Sequence, residues 1–263
     1  KEYPEFFIVG ETWLHDVAYE SYWKGDKVNY DGYNSYLPTI SDYPLYNALV
    51  SGFHNDGNIK MVYECLSKDF LYENPGTNKT FIGNHDVDRI FSHLGEEVPN
   101  FKMAMAFMLT TRGLPQIYYG DEILMTGLKR NGDGQLRKDF PGGWQGDEQN
   151  AFTAKGRTEL QNEGYNFVNK ILKWRKKSSA IYNGYLVHFR PFDDVYVYFR
   201  FNNEQKVMVL LNKNKEEVTV DMKRFDEMLS KHSKLKNILT GKESEIPKQL
   251  QIAPETPMIF EVY

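Results

Sequence analysis

Glu11 closes the apolar run Phe6-Phe7-Ile8-Val9-Gly10 and stands two residues before Trp13. A carboxyl beside a ring and apolar walls is desolvated, which favours its protonated form. Such a group holds a proton near neutral pH and can hand it to a leaving oxygen. The bland alternative is a strand-end carboxylate that caps the next helix. The segment Asn84-His85-Asp86-Val87-Asp88-Arg89 is denser in chemistry. There Asp86 would steady positive charge on a bound group while His85 donates to hydroxyls. Two other readings stay open: a divalent cation held by His85, Asp86 and Asp88, and a purely structural salt-bridge cluster. Asp133 and Arg137 lie four apart in a Gly-rich loop, the spacing of an ordinary surface ion pair. Asn131-Gly132-Asp133-Gly134 hints at calcium, without the full loop pattern and its distal Glu.

These residues need elements to hold them. Residues 6–13, FFIVGETW, read as a buried-type strand. YLPTISDY (36–43) reads as a weaker strand containing a proline. Helical spacing follows at 45–53 and at 58–72, where Met61, Cys65 and Leu66 share a face. TFIGNH (80–85) is a strand, an apolar helix lies near 100–111, and Gly113-Leu114-Pro115 breaks it before the strand PQIYYG (115–120). A long loop spans 127–150. The helix 157–177 carries Leu160, Tyr165, Phe167, Val168, Ile171, Leu172 and Trp174 among charges. Four strand–helix units imply a parallel sheet covered by helices, half of an eight-unit barrel. Three strands end in polar residues: Glu11, then Asn84-His85-Asp86, then Asp121-Glu122. That is where barrel enzymes keep their chemistry.

The pattern changes after Tyr182. GYLVHFR, VYVYFRF, KVMVLLN and EVTVD are short β-rich runs separated by polar turns, and NILTG, QLQIAP and PMIFEVY follow. This predicts antiparallel β, with a boundary near 180–184. The division is residues 1–182 for the half-barrel and 183–263 for a β-sandwich.

The 263 residues carry 41% hydrophobic and 26% charged side chains, which excludes a disordered chain. A net charge of −4 with no basic stripe argues against nucleic acid as a partner. No apolar run reaches the length of a membrane helix. Cys65 is the only cysteine, so an internal disulfide and a cysteine zinc cluster are excluded. Aromatic residues make up 15% of the chain, and many lie near Gly, Asn and Asp rather than in apolar runs. Flat rings outside the core can stack on sugars; a Tyr-rich surface is the plain alternative. The chain begins almost at once on an apolar strand, as if in mid-protein, and closes on a strand suited to a natural C-terminus.

Taken together, the motifs resemble the α-amylase family of retaining glycoside hydrolases. IVGETW resembles the family's strand-5 segment, FIGNHDVDR its strand-7 segment and GLPQIYYGDEI its strand-8 segment. The β-rich tail resembles the family's C-terminal domain. GETWLHDVAY with RKDFPGGW (137–144) is most similar to the neopullulanase or cyclomaltodextrinase-like branch, and more narrowly to amylases of Bacteroides-type starch-utilisation systems.

The resemblance implies an α/β fold: the C-terminal half of a (β/α)8 barrel, strands 5–8, followed by a small antiparallel all-β domain. It implies Glu11 as general acid/base and Asp86 as the second catalytic carboxylate, which holds sugar hydroxyls and steadies charge. Asn84, His85 and Trp13 would contact the same sugar, and Asp133 with Arg137 would grip the next one. The ligand would be an α-glucan oligosaccharide, the location periplasmic or secreted. No organic cofactor is implied. Calcium has room in the parent enzyme, with no ligands identified in this chain. One departure matters: the family's nucleophile is an Asp in a Gly-x-Arg-x-Asp setting, and this sequence contains no such segment. A retaining glycosidase needs two carboxyls about 5–5.5 Å apart. The chain is therefore expected to be part of an enzyme, inactive by itself, and to self-associate through the open half-barrel. The alternative is a non-catalytic glucan-binding or scaffold protein on the same fold. A transglycosylase would use the same residues.

Overall fold

The computed structural model describes residues 2–3, 6–25 and 27–263. Four short strands carry the first part: β1 (Val9–Gly10), β2 (Thr39–Ile40), β3 (Lys79–Phe81) and β4 (Leu114–Gln116). β1 pairs with β2 and β3 with β4, both in parallel. A parallel bridge between Ser41 and Lys79 joins the two pairs. The helices between and after them are α1 (Val17–Trp23), α2 (Tyr43–Phe53), α3 (Lys60–Leu66), α4 (Ile90–His93), α5 (Val98–Thr110), α6 (Asp133–Leu136), α7 (Glu159–Arg175) and α8 (Ser179–Asn183). The parallel sense and the helices read at 45–53, 58–72, 100–111 and 157–177 are observed, while α1, α4, α6 and α8 were not anticipated, and α6 lies within the stretch 127–150 read as a loop.

Local chemistry sets the element ends. Asp42 caps α2 by accepting from the Leu45 N–H at 3.0 Å, and Pro44 sits in the first turn, where it needs no N–H partner. Thr158 and Gln161 form a reciprocal capping box on α7. Between α5 and β4 the chain turns at Gly113, with φ +101°; a Cβ there would lie 2.5 Å from Thr80 Cγ2.

Two expectations need correction. In α3 the residues turned to the core are Val62, Cys65 and Leu66, while Met61 is exposed. And 6–13 is not a buried strand. Only Val9–Gly10 is β, and Phe6, Phe7, Ile8 and Val9 are exposed. The reason is that β1 is an edge: it pairs with β2 alone, and no described residue covers its outer face.

From Tyr185 the chain is antiparallel: β5 (Tyr185–Phe192), β6 (Val195–Phe201), β7 (Lys206–Asn212), β8 (Val218–Asp221), α9 (Asp226–Leu229), β9 (Lys234–Asn237), β10 (Glu243–Glu245), β11 (Gln249–Ile252) and β12 (Thr256–Val262). Six strands form one sheet in the order β10-β9-β12-β7-β6-β5, and β11 pairs with β8. NILTG is mostly a turn after β9, and β10 was not anticipated. Asp193 and Asp194 both have positive φ, +43° and +50°, which suits the two-residue turn between β5 and β6.

The period of two divides the central strands between two cores. Tyr196, Tyr198, Val207, Val209, Leu211 and Ile259 join the core built on α2, α5 and α7. Val197, Phe199, Met208, Leu210 and Phe260 join a second core with Val220, Phe225 and Ile252. The antiparallel sheet therefore shares a core with the helices rather than standing apart from them. Tyr198 Oη and Thr110 Oγ1 meet at 2.5 Å, and Trp174 Nε1 donates to Glu261 Oε1 at 2.8 Å, across the same seam.

A buried ionic network ties the parallel part together. Arg112 is 4% exposed and binds Asp69 through Nε at 2.8 Å and Nη2 at 2.6 Å, while Nη1 donates to Asp42. Lys24 Nζ donates to Asn78 Oδ1 at 2.8 Å, and Asn78 Nδ2 reaches Asp42 Oδ2 at 3.4 Å. Removing the cation would leave the buried Asp42 and the half-buried Asp69 without their guanidinium partner. Arg112→Ala should lower unfolding stability by about 3–5 kcal/mol, read from the urea midpoint; an unchanged midpoint would mean that the network carries no net stability.

Candidate active site

The site forms where the parallel strands end. Glu11 follows β1, Tyr43 follows β2, and Asn84, His85 and Asp86 follow β3. Tyr43 is fully buried and its hydroxyl donates to Glu11 Oε1 at 2.9 Å. Burial and the adjacent carboxylate push the Tyr43 phenol well above its ordinary pKa, so it stays a proton donor. Asn84 Nδ2 approaches the same hydroxyl at 3.5 Å, and Asn84 Oδ1 accepts from the Asp86 N–H at 2.7 Å. Asp86 is then held through both oxygens: Oδ2 lies 3.0 Å from His85 Nε2 and Oδ1 accepts from Arg137 Nη2 at 2.8 Å. Arg137 Nη2 also reaches Asp133 Oδ2 at 3.2 Å, and Arg137 Nε donates to the His85 carbonyl at 3.0 Å. Lys129 Nζ, 2.6 Å from Asp133 Oδ1, holds the Asp133 carboxyl below its ordinary pKa. The Trp13 ring stacks on Tyr43 with centroids 4.8 Å apart and planes 12° apart.

One connected set thus holds all the candidates picked from the sequence: Glu11, Trp13, Asn84, His85, Asp86, Asp133 and Arg137. Asp133 and Arg137 are exposed, as a surface pair would be, but Arg137 also bridges to Asp86. Tyr43 is the member that sequence reading missed. Its signal was an aromatic between the cap Asp42 and Pro44, at a strand end.

Other expectations are revised. Glu11 is exposed rather than desolvated, because the described residues place Trp13 and Tyr43 on one side of it and no apolar wall on the other. Nor does it cap a helix: Asp16 does, accepting from the Ala18 N–H at 2.8 Å. Asp88 turns away from His85 and Asp86, accepting from the Lys129 N–H at 2.5 Å and facing His93 at 3.6 Å. Among the described residues no group of three or more His, Cys, Asp or Glu is placed to hold a metal. Arg89 is fully buried, paired with Asp121 at 3.2 Å and lying over the Tyr118 ring at 4.2 Å. The strand-end Asp121 is therefore a support beneath the site. Burial raises its pKa against the pull of Arg89.

A second support lies under Glu11. Trp13 has φ +43°, a left-handed conformation that is strained for a bulky residue. Glu20, on α1 and wholly buried, accepts from the Thr12 hydroxyl and from the Leu14 N–H, on either side of Trp13. Burial pushes the Glu20 pKa from 4.5 up to about 7. A raised folded-state value gives stability that is complete below pH 4.5 and is lost as pH rises through about 7. The stability difference between the native chain and Glu20→Gln should therefore shift against the native chain across that window. Its upper bound is on the order of 3 kcal/mol, read from urea midpoints at a series of pH values. A difference independent of pH would show that Glu20 does not titrate there.

Parallel strands with carboxylates at their C-terminal ends define a barrel-type site, and comparison with known proteins agrees. Residues 1–213 match the family described as Alpha amylase, catalytic domain, and residues 186–261 match the Cyclo-malto-dextrinase C-terminal domain. The chain belongs to the α-amylase family. It is 30% identical over 223 residues to Maltogenic alpha-amylase of Bacillus acidopullulyticus, covering 82% of this chain and 33% of that protein. It is 31% identical over 136 residues to Alpha-amylase SusG of Bacteroides thetaiotaomicron, covering 51% of this chain and 18% of that one. These likenesses agree with the cyclomaltodextrinase-like branch. The fold matches the solved alpha-amylase from Geobacillus thermoleovorans complexed with acarbose, with TM-score 0.77 and 21% identity over 99% of this chain and 54% of that one. The chain thus spans a third or less of these two relatives and about half of the solved chain.

Proposed function

We propose that this chain supplies the acid/base and substrate-gripping part of a retaining α-glucan hydrolase. Its substrates would be α-1,4-glucosidic bonds of starch oligosaccharides, pullulan or cyclodextrins. The observation that carries this reading is the continuous hydrogen-bonded set running from Glu11 through Tyr43 and Asn84 to Asp86, Arg137 and Asp133. It gathers a proton donor, a charge-stabilising carboxylate and several sugar-binding groups in one place.

In this reading Glu11 protonates the glycosidic oxygen and then takes a proton from the incoming water. Tyr43, donating to one oxygen of Glu11, fixes the carboxyl's orientation. Asp86 does not attack: with both oxygens held, it steadies the oxocarbenium-like transition state. His85 donates to the same sugar, Trp13 offers a ring face, and Asp133 with Arg137 grips the next glucose. The nucleophile is a carboxylate from sequence outside these residues. The exposed edge of β1, with Phe6, Phe7 and Ile8, is where other strands would pair. The isolated chain should associate through it, and sedimentation showing a dispersed monomer would contradict that.

Pure chain should release negligible reducing sugar from starch, since the covalent step lacks its partner. In the enzyme that contains this segment, Glu11→Gln should cut glycosylation of natural glucans by about 10²–10⁴-fold. It should lose much less with a nitrophenolate or fluoride leaving group, which needs little protonation. Asp86→Asn should slow both substrates. Equal losses for both substrates in Glu11→Gln single-turnover rates would refute the acid/base role.

A further inference from the structure

Strand pairing stops short of Glu11. β1 is in register with β2 only at Val9 and Gly10, and the Gly10 carbonyl accepts from the Ser41 N–H at 2.8 Å. Beyond that point the direction of the Glu11 side chain is set by the residues that follow it. Those residues, Thr12 to Asp16, form a turn tied from the helix side. Asp16 caps α1 and pairs with Lys68 at 2.7 Å, and His15 Nδ1 lies 2.6 Å from Asn47 Nδ2 on α2. Both contacts are on the surface, where polar pairs hold a backbone weakly.

The buried contact belongs to Glu20. The Thr12 hydroxyl donates to Glu20 Oε1, and the Leu14 N–H is a second donor to the same carboxyl. Between these two donors stands Trp13, with φ +43°. A bulky residue persists in that region only where the surrounding structure holds it there. Its ring lies flat on Tyr43, whose hydroxyl donates to Glu11 Oε1. One line of contacts therefore runs from Glu20 through Thr12 and Leu14 to Trp13, then to Tyr43, and ends on Glu11.

For stability alone a carboxyl is a poor choice at this position. Glu20 is wholly buried on a seven-residue helix, and Asp42 opposes its charge. An apolar side chain would pack there without that cost. It could not, however, accept bonds from both sides of Trp13. We propose that Glu20 is a positioning residue for the acid/base carboxyl: it clamps the turn 12–14, keeps the Trp13 ring on Tyr43, and so fixes the direction in which Glu11 delivers its proton. This inference rests on the role of Glu11 proposed above.

The test is kcat/KM of the enzyme that contains this segment, measured with maltoheptaose and with α-maltosyl fluoride, whose leaving group needs little protonation. Glu20→Ala should lower the maltoheptaose value by about 10–100-fold and the fluoride value by about three-fold or less. Glu20→Gln keeps an accepting oxygen and should recover most of the loss. Thr12→Val and Thr12→Ser repeat the comparison from the donor's side, so the test stands if Glu20→Ala does not fold. A merely structural role would slow both substrates alike, or neither. That result in Glu20→Ala and Thr12→Val, with Glu11→Gln still losing far more on maltoheptaose than on the fluoride, would overturn the positioning role and leave the proposed function standing. Equal losses on both substrates in Glu11→Gln itself would overturn the acid/base reading and this inference with it.

Discussion

The site depends on the placement of one phenol. Tyr43 is fully buried, with its ring between Trp13 on one side and the edge contacts of Phe81 and Tyr46. Its hydroxyl touches Glu11 and Asn84, which follow two different strands. A rigid ring with a polar tip is suited to this, because packing fixes the body while hydrogen bonds read out its position. Burial keeps the proton on, so the contact to Glu11 remains that of a donor across the neutral range.

Tyr43 is in turn held from below. Asp42, its neighbour, caps α2 with one oxygen and receives Arg112 and Asn78 with the other. Arg112 reaches on to Asp69, so the end of β2, the start of α2 and the approach to β4 are linked by one buried charge group. Buried ion pairs of this kind contribute little net stability compared with apolar packing, but they are costly to break. Here they set where a helix begins, and the first residue of that helix is the one that meets Glu11.

The antiparallel sheet takes part in the same support. Its central strands are buried on both faces, and the face carrying Tyr196, Tyr198 and Leu211 closes over the helices α2 and α5. The parallel part therefore has a full core on the side of the antiparallel sheet and open edges at β1 and β4. β3, which leads to Asn84, His85 and Asp86, has neighbours on both sides, whereas β1, which leads to Glu11, is an edge. That asymmetry explains why Asn84 is buried while Glu11 is exposed.

Much was legible in the residues themselves. The period of two in VYVYFRF and KVMVLLN, the breaks at Gly113 and Asp193-Asp194, and the polar endings of apolar runs follow from backbone geometry that acts locally. They determined the order of the longer helices, the parallel and antiparallel parts and the positions of Glu11, His85 and Asp86. What lies between distant residues was decided only in three dimensions. Asp88 and Arg89 sit beside Asp86 in the chain, yet one turns to Lys129 and the other to Asp121, because a strand end sends successive side chains in different directions. Arg137 looked like half of a surface pair until the fold set Asp86 within its reach. Tyr43 carried no charge, and its role arises from packing that brings the strand ends together. Burial, too, is a property of neighbours: the apolar run before Glu11 reads as interior, but it lies on an edge where the described residues provide no cover.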